Sequence, residues 1–157
     1  MAATMTAICA GECDPLQISA FLVLLRAKGE NSIELSSLVR VMRSHALPVA
    51  SPGGRPLLDI VGTGGDGHDT VNISTAAAVV CAACGVSVGK HGNRSVSSKS
   101  GSADVLEELG VVMLAPEHIG RCIEEAGVAF MFAPKFHPAM KHVVPVRKVR
   151  EEGVCVY

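Results

Sequence analysis

At 157 residues, with 48% hydrophobic and 18% charged positions, the chain is long enough to bury a core and too apolar for disorder. A net charge of -1 gives no bulk attraction to nucleic acid or to a membrane surface, so any affinity for anions must come from local placement of cations. Six cysteines scattered among Ala and Val read as reduced thiols, not a disulfide framework, and no apolar run reaches spanning length without Gly or a polar residue. As written the sequence reads as cytoplasmic, and a plastid location would need a longer precursor with a transit peptide.

In chain order, residues 1–13 read as the closing turns of a helix that break at Gly11. Asp14 before Pro15 starts the next helix, because Asp caps free N–H groups and Pro at the first helical position loses nothing. That helix is predicted over 15–28 with Ile18, Phe21, Leu22 and Leu25 on its buried face, stopped by Gly29. Asn31 and Glu34 are spaced for a capping box on a second helix, where Leu35, Leu38, Val39 and Met42 recur at helical period and which ends near His45.

The segment 47–56 carries three prolines and two glycines and reads as a linker, giving a helical unit over 1–50 and a second domain over 51–157. Beyond it, short apolar runs alternate with helical patterns, the texture of an α/β domain with a mainly parallel sheet. Strands are predicted over 57–61, 86–90 and 128–132. Helices are predicted over 74–84, 102–109 with Ser102 as cap, 116–126 and 138–148, with a short apolar run at 111–114.

Two loops carry the chemistry. In the first, Gly62, Gly64, Gly65 and Gly67 follow the strand at 57–61 and let a ligand lie on backbone N–H groups. Asn72, Ser74 and Thr75 then offer side-chain donors at the start of an Ala-rich helix, where free N–H groups favour phosphate. The second loop, 90–102, sets Lys90, His91, Arg94 and Lys99 among five serines after another strand. Strand-end loops in such sheets lie side by side, so both can face one crevice and hold a polyphosphate. Neither loop is a Walker A motif or a dinucleotide fingerprint. Against the functional reading stand bland ones: a tight Gly turn, a solvated Ser/Lys loop, and a Cys81-x-x-Cys84 pair that is buried packing and not a metal site. Asp104, Glu107 and Glu108 read as complements to a helix dipole before they read as magnesium ligands.

Gly62-Thr-Gly-Gly-Asp66, Asn72-Ile-Ser-Thr75, Lys90-His-Gly-Asn-Arg94, the run 98–107 and the run 133–140 occur in an order and spacing that resembles anthranilate phosphoribosyltransferase, over about residues 4–148. The resemblance implies a nucleoside phosphorylase/phosphoribosyltransferase-like fold, with transfer of phosphoribosyl from phosphoribosyl pyrophosphate to anthranilate in tryptophan synthesis. It also implies Mg2+ as cofactor and a homodimer, without nucleic-acid or membrane partners. By matching positions, donor binding falls to Gly62, Gly65, Asp66, Thr70, Asn72, Ile73, Ser74, Thr75, Lys90, His91, Gly92, Asn93, Arg94, Ser95, Val96, Ser97, Ser98 and Ser102. The resemblance makes Ser74 a magnesium ligand and brings Gly62, Asn93 and Arg147 to anthranilate, Arg147 pairing with its carboxylate. No nucleophilic side chain is implied, since the work is positioning and stabilisation of the leaving anion.

The family continues past Lys148 into further strands and a later Asp-Glu pair that helps bind magnesium, and this chain departs from that pattern. The α/β domain is therefore expected to be incomplete, with an exposed edge and apolar face, and the polypeptide to be a fragment with little transferase activity alone. The rival readings are a pyrimidine nucleoside phosphorylase-like enzyme and a non-catalytic module binding nucleic acid through residues 90–99.

Overall fold

The computed structural model describes residues 1–62, 71–95 and 99–148. In chain order the elements are α1 (Ala2–Ala10), α2 (Pro15–Lys28), α3 (Ser32–Ser44), a 3-10 turn Pro52–Gly54, α4 (Ile73–Ala83), β1 (Val88–Gly92), α5 (Ser102–Glu108), α6 (Pro116–Ala126), β2 (Val128–Phe132), α7 (Ala133–Phe136), a 3-10 turn Pro138–His142 and α8 (Val144–Lys148). Two compact units emerge, one built from Met1–Leu47 with residues 137–148, the other from Pro48–Phe136. No helix among the described residues is long and apolar enough to cross a membrane.

The helical unit follows its local signals closely. Asp14 accepts the Leu16 N–H at 2.8 Å, Gln17 accepts the Asp14 N–H at 2.9 Å, and Pro15 opens α2. Gly29, at φ 81°, ends it. Asn31 and Glu34 form the reciprocal box on α3, at 2.9 and 3.2 Å, and Lys28 Nζ reaches the same Glu34 carboxylate at 2.7 Å. The core of this unit is Ile8, Ile18, Val143 and Val146, with Phe21, Leu22 and Met140 packed on it. On α3 the apolar stripe is only half covered: Leu35 and Val39 are exposed.

Asn31→Ala should cost about 1 kcal/mol of helical-unit stability, the usual value of a cap, and a denaturant titration followed by circular dichroism reads it directly. The hydrogen bond from Lys28, then that from the Asn31 N–H, hold the Glu34 carboxyl below its ordinary 4.5. A carboxyl whose folded value is depressed stabilises the fold above its unfolded value and stops doing so as pH falls through the folded one, so the effect of this box fades only on acidification below 4.5.

In the second unit β1 and β2 pair in parallel, from Val88↔Val128 to Gly92↔Phe132, with α5 and α6 supplying the crossover that a parallel pair requires. Buried Ile119 and Ile123 of α6 pack with Ala129, Met131 and Phe136, and Leu57, Leu114 and Cys122 close the cluster. The α/β class with a parallel sheet is as expected from the alternating pattern.

Several boundaries differ from the expectation. The run 57–61 is not a strand: only Leu58 bridges to Val88, through Leu58 N–H to Ser87 O at 2.9 Å and Gly89 N–H to Leu58 O at 3.0 Å. Beyond Leu58 side chains replace the ladder, Asp59 accepting the His91 N–H and Lys90 donating to the Ile60 carbonyl. β1 begins at Val88 and not at Val86, because the Val86 N–H closes the end of α4 on the Cys81 carbonyl at 3.1 Å. Gly101, not Ser102, occupies the cap of α5. The helix expected over 138–148 is divided into a 3-10 turn and α8, consistent with Pro145 having no N–H to return to residue 141. Ile73, Val79 and Val80 of α4 are exposed, in line with an apolar face left uncovered.

Candidate anion-binding site

Lys90 is the pivot. It lies on β1 with only 3% of its surface exposed, an unusual place for an ammonium. Its Nζ donates to the Ile60 carbonyl at 2.7 Å and to Ser74 Oγ at 3.1 Å, which joins the end of the first loop's approach, the start of α4 and β1. Burial pushes its pKa below the ordinary 10.5, and the charge of Asp59 opposes that shift. A Cβ built on Gly62 would lie 3.8 Å from Ser74 Oγ, so the glycine brings bare backbone beside that hydroxyl.

Around this pivot the start of α4 faces the second loop. Asn72 donates from Nδ2 to the Ser100 carbonyl at 3.2 Å. Thr75 is buried, and its Oγ1 has no hydrogen-bond partner among the described residues. A buried hydroxyl without a partner is costly, so this is a place prepared for a polar ligand or water. Ile73, by contrast, turns its side chain out, 63% exposed.

At the end of β1 the His91 N–H donates to Asp59 Oδ1 at 3.0 Å, His91 Nδ1 lies 3.6 Å from Asp59 Oδ2, and the imidazole meets Phe136 edge-on with centroids 5.7 Å apart. Gly92 is enclosed by Ser102 and the Phe130 ring and leaves no room for a Cβ. The Asn93 carbonyl accepts from the Ala103 N–H at 3.1 Å and from Ser102 Oγ at 3.2 Å, while Asn93 Oδ1 accepts the Arg94 N–H at 2.8 Å.

The Arg94 guanidinium pairs with both oxygens of Glu107, at 2.7 and 3.3 Å, lies 3.9 Å from Asp104 and sits 5.2 Å over the Phe132 ring. Its hydrogen bond to Glu107, then the charge of that carboxylate, raise its already high pKa. Asp104 Oδ2 accepts two backbone donors, Ser95 N–H at 2.9 Å and Gly101 N–H at 2.7 Å, and those bonds hold its carboxyl below the ordinary 3.8.

The described members of both loops therefore meet: Gly62, Asn72, Ser74 and Thr75 on one side, Lys90 to Ser95 and Ser102 on the other. Gly65, Asp66, Thr70, Val96, Ser97 and Ser98 lie outside the described residues. Arg147 is in α8 of the helical unit. Asp59, Phe132 and Phe136 were not singled out from the sequence. Asp59 had a signal, being the one charged residue in an apolar run; the two aromatics had none.

For a metal, the donor set is sparse. No group of three His, Cys, Asp or Glu that could hold an ion occurs among the described residues. One hydroxyl beside an anion cradle fits a hard cation such as magnesium that arrives on a ligand's phosphates and keeps most of its ligands from them and from water. It does not fit an ion caged by protein.

Residues 1–46 match the glycosyl transferase family, helical bundle domain, and residues 54–151 match the glycosyl transferase family, a/b domain. An anthranilate phosphoribosyltransferase from Thermomicrobium roseum is 53% identical over 92% of this chain and 42% of its own length. One from Cupriavidus necator is 55% identical over 96% of this chain and 44% of its own. Among solved structures, the Thermus thermophilus anthranilate phosphoribosyltransferase superposes with a TM-score of 0.86 at 51% identity, covering 99% of this chain and 46% of that one. The Saccharomyces cerevisiae enzyme in complex with PRPP and Mg superposes at 0.83 with 30% identity, covering 97% and 46%. The chain thus spans less than half the length of the relatives it matches.

Proposed function

The chain belongs to the glycosyl transferase family defined by that helical bundle and a/b domain, and from this premise we propose that it forms the phosphoribosyl-donor half of an anthranilate phosphoribosyltransferase. The observation that carries the reading is the buried Lys90 ammonium of β1, which joins the Ile60 carbonyl to the Ser74 hydroxyl at the start of α4. Among the described residues no carboxylate is in hydrogen-bond contact with that ammonium, and its natural complement is a phosphate.

In this reading Gly62, Asn72, Ser74, Thr75, Lys90, Asn93, Ser95 and Ser102 hold the pyrophosphate and ribose, with Gly65, Asp66, Thr70 and 96–98 completing the set. Ile73 contributes its backbone, since its side chain points away. His91 and Gly92 shape the strand end. Within the second unit, Gly62 and Asn93 are the residues proposed to meet anthranilate. The division into a helical unit over 1–50 and a donor-binding domain from 51 onward belongs to the same proposal with one amendment, residues 137–148 packing with the helical unit; a homodimer belongs to it too, for which exposed Leu16 and Ile33 of the helical unit are available apolar surface.

The chemistry needs little from the acceptor, whose amine is already a nucleophile. The barrier lies in departure of pyrophosphate as positive charge grows on the ribose. Lys90, held between the Ile60 carbonyl and the Ser74 hydroxyl, is fixed in advance, and it stabilises the leaving anion without reorganising. Magnesium, with Ser74 as its protein ligand, supplies further neutralisation of the phosphates when bound.

Calorimetric titration of the 157-residue chain with phosphoribosyl pyrophosphate tests this. Binding that requires magnesium is the expected result, with anthranilate consumption, followed by its fluorescence, at or near background for the chain alone. Absence of donor binding, or a preference for a pyrimidine nucleoside with phosphate, would sink the proposal.

A further inference from the structure

Both turns of α5 grip the second loop, by more than the helix cap. Asn93 is held through its carbonyl by Ala103 and Ser102, Arg94 through its guanidinium by Glu107, and Ser95 through its N–H by Asp104. Asp104 uses one oxygen for two tasks: Oδ2 accepts from Ser95 at 2.9 Å and from Gly101 at 2.7 Å, so residues six apart in the chain are tied to one atom. The tie needs close approach, and Gly101 provides it, because the backbone of Asn93, Arg94 and Ser95 fills the space a Cβ would take.

Resting on the donor-binding reading, we infer that Asp104 is a positioning residue for the donor site, its Oδ2 joining Ser95 to Gly101 and so fixing the direction of Asn93 and Ser95, with no role as a metal ligand. Glu107 completes the arrangement by holding Arg94 over Phe132, so that Lys90 and not Arg94 is the principal cation offered to the phosphates. The depressed Asp104 carboxyl agrees with an acceptor engaged by two N–H groups. Because one oxygen serves both donors, an amide carbonyl, with two lone pairs, satisfies the same geometry. The charge is dispensable and the acceptor is not.

The test compares magnesium-dependent binding of phosphoribosyl pyrophosphate to the full chain and to Asp104→Ala and Asp104→Asn, with amide hydrogen exchange at Ser95 and Gly101. Asp104→Ala is expected to weaken binding about tenfold or more, as two backbone donors lose their acceptor, while Asp104→Asn stays within about threefold. In the unsubstituted chain both amides exchange slowly, and in Asp104→Ala both speed up. Equal donor affinity in Asp104→Ala overturns the inference and leaves the donor reading intact. Asp104→Asn as weak as Asp104→Ala also overturns it, pointing to a carboxylate on metal. If Asp104→Ala does not fold, the Asn variant and the amide protection of the unsubstituted chain decide, fast exchange at both positions overturning the inference. A chain that binds no donor at all removes the reading and this inference together.

Discussion

Phe136→Ala is expected to destabilise the α/β unit by about 3–5 kcal/mol, enough to consume much of a typical domain's margin. Phe136 is 1% exposed, at the junction of Ile119, Ile123, Ala129 and Met131, where α6 and β2 meet α7. Truncation removes most of a ring and leaves a cavity that these neighbours, all fixed on helices or strands, fill only in part. A denaturant titration should show an earlier midpoint, with Phe136→Leu, which retains more volume, clearly milder. A shift under about 1 kcal/mol for Phe136→Ala would mean that this cluster is not the core of the unit. The ring also meets His91 edge-on, so the same substitution loosens the end of β1 where the second loop begins.

What was legible in the sequence is what is decided within a few residues. Asp14-Pro15 and the Asn31/Glu34 pair specify caps whose partners lie two or three positions away, and both form as read. Residue types suited to an anion were legible in composition, and two of them, Lys90 and Ser74, come within 3.1 Å of each other. The misread strand at 57–61 turned on partners some thirty residues distant: Asp59 on the His91 N–H and Ile60 on the Lys90 ammonium. Local apolar character said strand, and long-range polar contacts overruled it. The cap of α5 is a similar case, since Ser102 is a better cap by type but is already engaged with the Asn93 carbonyl. For Arg94 the sequence supplied a cation in an anion loop. Its pairing with Glu107, thirteen residues on, and its seat over Phe132 depend on β2 and α5 coming together, which no local pattern encodes.

Lys90→Met should show the reverse signature, a large loss of donor binding with little change in stability. The ammonium is buried, so replacing it with an apolar side chain of similar length removes a desolvation cost while leaving the Ile60 carbonyl and the Ser74 hydroxyl each without one donor. Those effects have opposite sign and comparable size, about 1–3 kcal/mol, so the unfolding midpoint should move little. Binding has no such compensation. A charge-assisted hydrogen bond to phosphate is worth about 1.5–3 kcal/mol, which corresponds to a loss of roughly 10- to 150-fold in donor affinity by calorimetry. Lys90→Arg should not restore it, because a planar fork cannot take the place of a compact ammonium between Ile60 and Ser74. If Lys90→Met bound the donor within about threefold of the unsubstituted chain, the cation would be structural and the phosphates would be held by the N–H groups and hydroxyls of the two loops. With Phe136→Ala losing stability first and Lys90→Met losing affinity first, the pair separates residues that build the cradle from the one that charges it.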